Sequence, residues 1–142
     1  LAELTPEKFE ANKNLLGETV RKRTEHVVYE CDRVKKAAKA MREGDMVKLG
    51  ELLNASHKSL SELYEVTGKE LDTLARLAQS HPACAGSRMT GAGFGGCTVS
   101  LVKTAEKKAF EEFVLENYKK EIGYAAECYE AEIADGIVAE KL

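Results

Sequence analysis

Five of the chain's eleven glycines fall between Gly86 and Gly96, in the stretch G-S-R-M-T-G-A-G-F-G-G-C-T-V-S-L-V that runs to Val102. Glycine reaches positive φ at no steric cost and lets another group come close to the backbone. A loop of this composition exposes successive N–H groups, and such groups form concave anion-binding nests. The β-branched run that follows, Cys97-Thr98-Val99-Ser100-Leu101-Val102, reads as a strand. The same residue types also build a plain hairpin turn with no ligand. Local chemistry alone leaves both readings open.

Spacing removes several alternatives. Gly91, Gly93 and Gly96 satisfy G-x-G-x-x-G. A dinucleotide site needs a helix directly after those glycines, so that its N-terminus faces the pyrophosphate, and here a strand follows. Gly96 precedes Cys97, not the Lys-Ser/Thr that closes a Walker A loop. A protein-kinase glycine loop does sit between strands, but it requires H-R-D and D-F-G, and neither string occurs.

The stretch S-R-M-T-G-A-G-F-G-G-C-T-V-S-L-V closely resembles the third, C-terminal signature of the galactokinase family, within the GHMP kinase superfamily (galacto-, homoserine, mevalonate and phosphomevalonate kinases). R-K-R-T-E-H-V-V at 21–28 looks like the start of that family's long helix. S-H-K-S-L-S-E-L-Y-E-V at 56–66, followed by E-L-D at 70–72, resembles another of its signatures. The three stretches come in the right order and cover most of residues 20–103.

The resemblance implies an α+β fold: a small antiparallel sheet covered by helices, of the GHMP kinase C-terminal type and related to the ferredoxin-like arrangement. One strand of that sheet is expected from upstream of Leu1, leaving an edge through which the chain is expected to self-associate. The implied activity is transfer of the γ-phosphoryl of ATP, with Mg2+, to the anomeric hydroxyl of galactose. The family's sugar signature, phosphate loop, catalytic carboxylate and arginine lie in an N-terminal region, and the phosphate-loop signature P-x-G-x-G-L-S-S-S is absent from 1–142. The chain is therefore expected to be inactive alone, with no catalytic residue, no metal ligands and no tightly bound cofactor of its own. Its contribution is the active-site loop Thr90, Gly91, Ala92, Gly93, Phe94, Gly95 and Gly96. Gly91 and Gly93 are the residues expected to need unusual backbone angles or a close approach. Arg88 either reaches a phosphate or pairs with an acid on a helix. Phe94 is expected to seal the loop and Cys97 to lie in the core. A non-catalytic sugar and ATP sensor and a free-standing small-molecule-binding regulatory module are the competing readings.

Length and composition set the frame. At 142 residues, 44% apolar and 32% charged, one domain with a real core is expected. The net charge of −3 disfavours nucleic acid and anionic membrane as partners. No apolar run approaches the roughly 20 residues of a membrane span, and no signal peptide opens the chain. Cys31, Cys84, Cys97 and Cys128 form no C-x-x-C, and are read as reduced, mostly buried residues of a cytoplasmic protein. The chain opens at Leu1 in a pattern already helical, which points to a piece of a longer protein.

Residues 1–80 read as helical, and 85–142 as strand-loop-strand-helix-strand around the glycine signature at 86–97. Thr5-Pro6-Glu7 is a helix start. A second helix spans about Glu18–Glu43, with Val20, Val27, Val34 and Met41 as an apolar seam. Between Arg21 and Arg42 its other faces carry eight basic and three acidic residues. Gly44 and Asp45 end that helix and cap the next, which runs to about Tyr64 as the return of an antiparallel hairpin. His26 and His57 are read as structural histidines and His81 as exposed. Thr67 opens a further helix as a capping box with Glu70. Tyr64-Glu65-Val66 then lies on a connection, a common place for ligand contact. Strands are expected near Ala85–Met89 and Gly96–Lys103, then a helix capped by Thr104. A third strand is expected at Glu127–Ile133, a turn at Asp135-Gly136, and a return or fraying at Ile137–Leu142.

Overall fold

The computed structural model describes residue 1 and residues 3–131. The described residues form five helices and two strands in the order α1 (Pro6–Asn12), α2 (Glu18–Glu43), α3 (Met46–Ser59), α4 (Gly68–Ser80), β1 (Cys84–Thr90), β2 (Cys97–Val102) and α5 (Lys107–Ile122). A 3-10 turn at Lys13–Leu15 extends α1, and a π-helical segment at Leu60–Tyr64 extends α3. This is an α+β fold with a small antiparallel sheet covered by helices.

The helix limits follow from their end residues. Thr5 Oγ1 accepts the Lys8 N–H, and Pro6 occupies the first turn of α1. Gly44 stops α2 in the left-handed conformation at φ 68°, its N–H bonding back to the last turn. Asp45 then caps α3 through Lys48 N at 2.9 Å. Two expected caps do not form. Thr67 opens α4 with no side-chain cap bond; it sits in helical backbone and is buried. Thr104 does not cap α5, because a 3-10 turn at Thr104–Glu106 takes up that corner.

The seam expected on α2 is for the most part not the covered face: Val20, Val34 and Met41 are exposed and Val27 is half-buried, while the buried positions are Thr24, His26, Val28 and Ala40. The covered face is built on polar pairs instead. His26 Nδ1 lies 2.9 Å from Ser59 Oγ, and Ser56 Oγ donates to Glu30 Oε1 at 2.6 Å.

β1 and β2 pair antiparallel with Ser87 opposite Ser100, Arg88 opposite Val99 and Thr90 opposite Cys97, and a bulge interrupts the register between Cys84 and Gly86. At this bulge the backbone of α3 lies directly on β1. A Cβ on Gly50 would meet Ala85 O at 2.1 Å, and one on Gly86 would meet Gly50 O at 2.2 Å. Only two glycines allow that approach.

Two apolar clusters flank the sheet. Leu60, Leu71 and Met89 pack with Val66, and Ala78, Phe110 and Val114 pack with Leu74, Cys84, Val102 and Phe113. A fully buried side chain of this size contributes about 1.5–3 kcal/mol. His81 is half-buried and not exposed: its ring meets Phe110 edge-on at 5.6 Å, and Nδ1 accepts the Ala83 N–H at 3.2 Å. Cys97 is exposed and not in the core, because β2 begins with its first side chain facing solvent; Cys128 is exposed as well.

Residues 127–131, where alternation predicts the opening of a third strand, have no regular structure, and Glu130 pairs with Lys107 at 2.5 Å. Glu127, Cys128, Tyr129 and Glu130 are all exposed there, so no alternating apolar face is covered. The rest of that expected strand, the Asp135-Gly136 turn and Ile137–Leu142 lie outside the described residues.

Candidate functional site

The loop from Gly91 to Gly96 joins β1 to β2, and five of its six residues have positive φ. These are Gly91 (84°), Gly93 (88°), Phe94 (57°), Gly95 (125°) and Gly96 (99°), with Ala92 the exception. The four glycines adopt such angles without strain, and Phe94 does so against its side chain. One backbone bond ties the loop down: Phe94 N–H donates to Val66 O at 2.7 Å. Among the described residues, the other N–H groups of the loop have no backbone acceptor. A cluster of open amides in left-handed backbone is what an anion requires of a nest.

Gly91 and Gly93 serve different needs. A Cβ on Gly91 would meet nothing within 4 Å, whereas one on Gly93 would meet Val66 O at 2.1 Å. Gly95 and Gly96 also face open space. Phe94 does not seal the loop: its side chain is 81% exposed. The same backbone bond that seats the loop on Val66 leaves the ring in solvent.

The strand leading into the loop is fixed by helix side chains. Ser87 N–H donates to Asn54 Oδ1 at 2.9 Å, Gln79 Nε2 to Ser87 O at 2.8 Å, and Met89 N–H to His57 Nδ1 at 3.1 Å. These bonds occupy the edge of β1 that faces away from β2. Sequence reading placed His57 as structural and did not find Asn54 or Gln79, since an edge-capping amide carries no pattern of its own. With Nδ1 accepting, Nε2 of neutral His57 carries the proton; it lies 3.2 Å from Asp72 Oδ1, off the hydrogen-bond axis. Asp72 Oδ2 accepts from Ser61 Oγ at 3.2 Å. Burial pushes His57 below its usual value, the Asp72 carboxylate pulls it back up, and the Arg88 charge adds to the depression. His26 is likewise pushed down by burial, against the pull of Glu30.

Arg88 turns toward α2, where Nη1 lies 3.6 Å from Glu30 Oε1, so in this arrangement it pairs with an acid on a helix. Burial alone would raise Glu30, but hydrogen bonds from Ser56 and Arg33 and the charges of Arg33 and Arg88 hold it below the usual carboxylate value. Among the described residues no group of three or more His, Cys, Asp or Glu converges as a metal site would require. No helix there is long and apolar enough to cross a membrane.

Comparison with known proteins places these features in a family. The family described as GHMP kinases C terminal matches residues 37–120. Galactokinase of Lactococcus lactis subsp. cremoris (strain MG1363) is 53% identical over 137 residues, which take in 96% of this chain and 34% of that protein. Galactokinase of Enterococcus faecalis (strain ATCC 700802 / V583) is 51% identical over 137 residues, with 96% and 35% covered. The crystal structure of Lactococcus lactis galactokinase complexed with galactose superposes with a TM-score of 0.85 at 52% identity, over 87% of this chain and 32% of that one. The chain thus spans about a third of the length of the curated relatives it matches.

Proposed function

The chain belongs to the GHMP kinase C-terminal family, and from that premise we propose that it is the C-terminal part of a galactokinase. In that reading it supplies the loop Thr90–Gly96 to a site that transfers the γ-phosphoryl of ATP to the anomeric hydroxyl of galactose. The carrying observation is the loop itself, with positive φ at five of its residues, Gly91, Gly93, Phe94, Gly95 and Gly96. Its open amides suit the oxygens of a phosphate chain. Phosphoryl transfer asks mainly for positioning and for neutralisation of developing charge. Backbone amides held in fixed geometry meet both needs at no reorganisation cost.

ATP fits this loop by its phosphates. In that reading the Mg2+ ligands, the sugar contacts and the catalytic carboxylate are supplied by the upstream part of the protein. A phosphate contact by Arg88 requires its pair with Glu30 to open; otherwise the arginine braces β1 against α2. Among the described residues no strand pairs with the outer edge of β2, and there the upstream strand would add. Without that strand the same edge supports self-association. A cytoplasmic location follows from the same reading.

The test is phosphorylation of galactose by the longer galactokinase-type protein and by residues 1–142 alone. Turnover by the first and none by the second is expected. Turnover by residues 1–142 alone would defeat the division of labour proposed here. A longer protein that binds galactose and ATP without turning them over would favour the sensor reading.

A further inference from the structure

Two non-glycine residues in the described structure have left-handed backbone, Glu65 at φ 59° and Phe94 at φ 57°. The Phe94 N–H bonds to Val66 O, the carbonyl one residue beyond Glu65. Left-handed backbone at residues with a side chain costs energy and persists only where the surroundings hold it. The segment before Glu65 is π-helical, Leu60–Tyr64, a geometry that is rare and often tied to function. A strained connection and a strained loop therefore meet at one carbonyl.

Among the α2 side chains on that connection, Arg23 makes the most contacts. Arg23 donates Nη1 to Leu63 O and Nη2 to Glu65 Oε2, the second at 2.5 Å. Its guanidinium also lies 5.9 Å from the centroid of the Tyr64 ring. Three consecutive residues, Leu63, Tyr64 and Glu65, are thus gripped by one planar fork. Lys22 adds a weaker contact to Glu65 at 3.5 Å, and the Tyr64 ring rests on His26 with centroids 4.6 Å apart. The next carbonyl, that of Val66, is the seat of the glycine loop, and at 2.1 Å it leaves no space for a Cβ on Gly93.

We propose that Arg23 is a positioning residue: through Glu65 it fixes the Val66 carbonyl on which the glycine loop is seated. The inference rests on the galactokinase reading only for what the loop then does, which is to meet the phosphates of ATP. The latch itself does not depend on that reading.

The experiment is hydrogen exchange by mass spectrometry on the full-length protein, followed in peptides covering residues 90–96, alongside the kinetics of galactose phosphorylation. In Arg23→Ala the one protected amide of the loop, Phe94, is expected to exchange about tenfold faster, the loss of roughly one hydrogen bond's support. Peptides covering Val28 and Leu71 are expected to keep their protection. KM for ATP should rise or kcat fall while KM for galactose holds, and Arg23→Lys should recover part of the effect, since it keeps the charge and loses the fork. Should Arg23→Ala fold poorly, Glu65→Gln addresses the same contact from the exposed end and should give the same pattern in weaker form. Unchanged exchange at residues 90–96, or equal acceleration throughout the core, would overturn the proposal. A wild-type protein without galactokinase activity would remove the kinase reading and leave exchange alone to decide the latch.

Discussion

Gly91 and Gly93 look alike in sequence, and the structure separates them by what lies above each α-carbon. At Gly91 the demand is a positive φ of 84° in open space. At Gly93 a similar φ of 88° combines with the Val66 carbonyl 2.1 Å from where a Cβ would stand. Gly91→Ala should therefore cost only backbone strain, about 1–2 kcal/mol. Gly93→Ala must in addition push Val66 aside and break the Phe94 bond. In the full-length protein, Gly93→Ala is expected to lower kcat/KM for ATP at least about tenfold more than Gly91→Ala, because misplacement of this order near a reacting group is costly. Equal losses from the two variants would mean that contact with Val66 does not position the loop. At this scale the loop was legible because glycine clustering reports backbone demand directly. Cys97 and Phe94 were not, because an apolar residue type does not say which way a strand end or a strained loop residue turns. Gly50 stayed hidden for a related reason: a lone helical glycine carries no sign of the strand backbone that presses on it.

The limits of α2 and the Gly44-Asp45 corner could be read from caps, which are local. The buried face of α2 could not, since apolar periodicity assumes that what is covered is apolar. Here His26, Ser56, Ser59 and the half-buried Glu30 pair between α2 and α3, so a seven-residue valine spacing misses most of the covered face. The same polar interior gives the elements a pH dependence. His57 joins three of them: it lies on α3, accepts from Met89 of β1 and faces Asp72 of α4. Protonation would turn Nδ1 from acceptor to donor and break the bond to β1. Its folded value lies below the ordinary 6.5 because of burial, so the folded state binds its proton less readily than the unfolded chain does. Stability from this group is thus complete above about pH 6.5 and is lost as pH falls through the lower folded value. The midpoint of thermal unfolding should fall between pH 7 and pH 5. His57→Asn, which keeps an acceptor near the Nδ1 position and cannot titrate, should have a shallower slope, with His26 supplying the remainder. An unaltered slope in His57→Asn would remove His57 from the account.

At the scale of the whole molecule, the described residues form one sheet with two unequal edges. The edge of β1 is occupied by Asn54, His57 and Gln79, which satisfy Ser87 and Met89 in place of a neighbouring strand. Among the described residues no strand lies beyond β2. Val99 on β2 is 48% exposed, so the open edge also presents an apolar side chain. An edge of this kind pairs with whatever strand is available. Under the proposed reading, in a protein about three times as long, matching the relatives' proportions, an upstream strand would be the occupant. In residues 1–142 alone, a second copy is the nearest substitute. Sedimentation velocity on this chain should therefore show mass rising from monomer toward dimer as concentration increases. Val99→Lys should hold it at monomer, since a charge on an edge strand opposes pairing there. If the chain stays monomeric across a wide concentration range, the β2 edge is protected in some other way and the upstream strand loses its physical motive. If Val99→Lys still dimerises, association runs through another surface. The exposed apolar residues Leu15 and Val20 would then be the next to test.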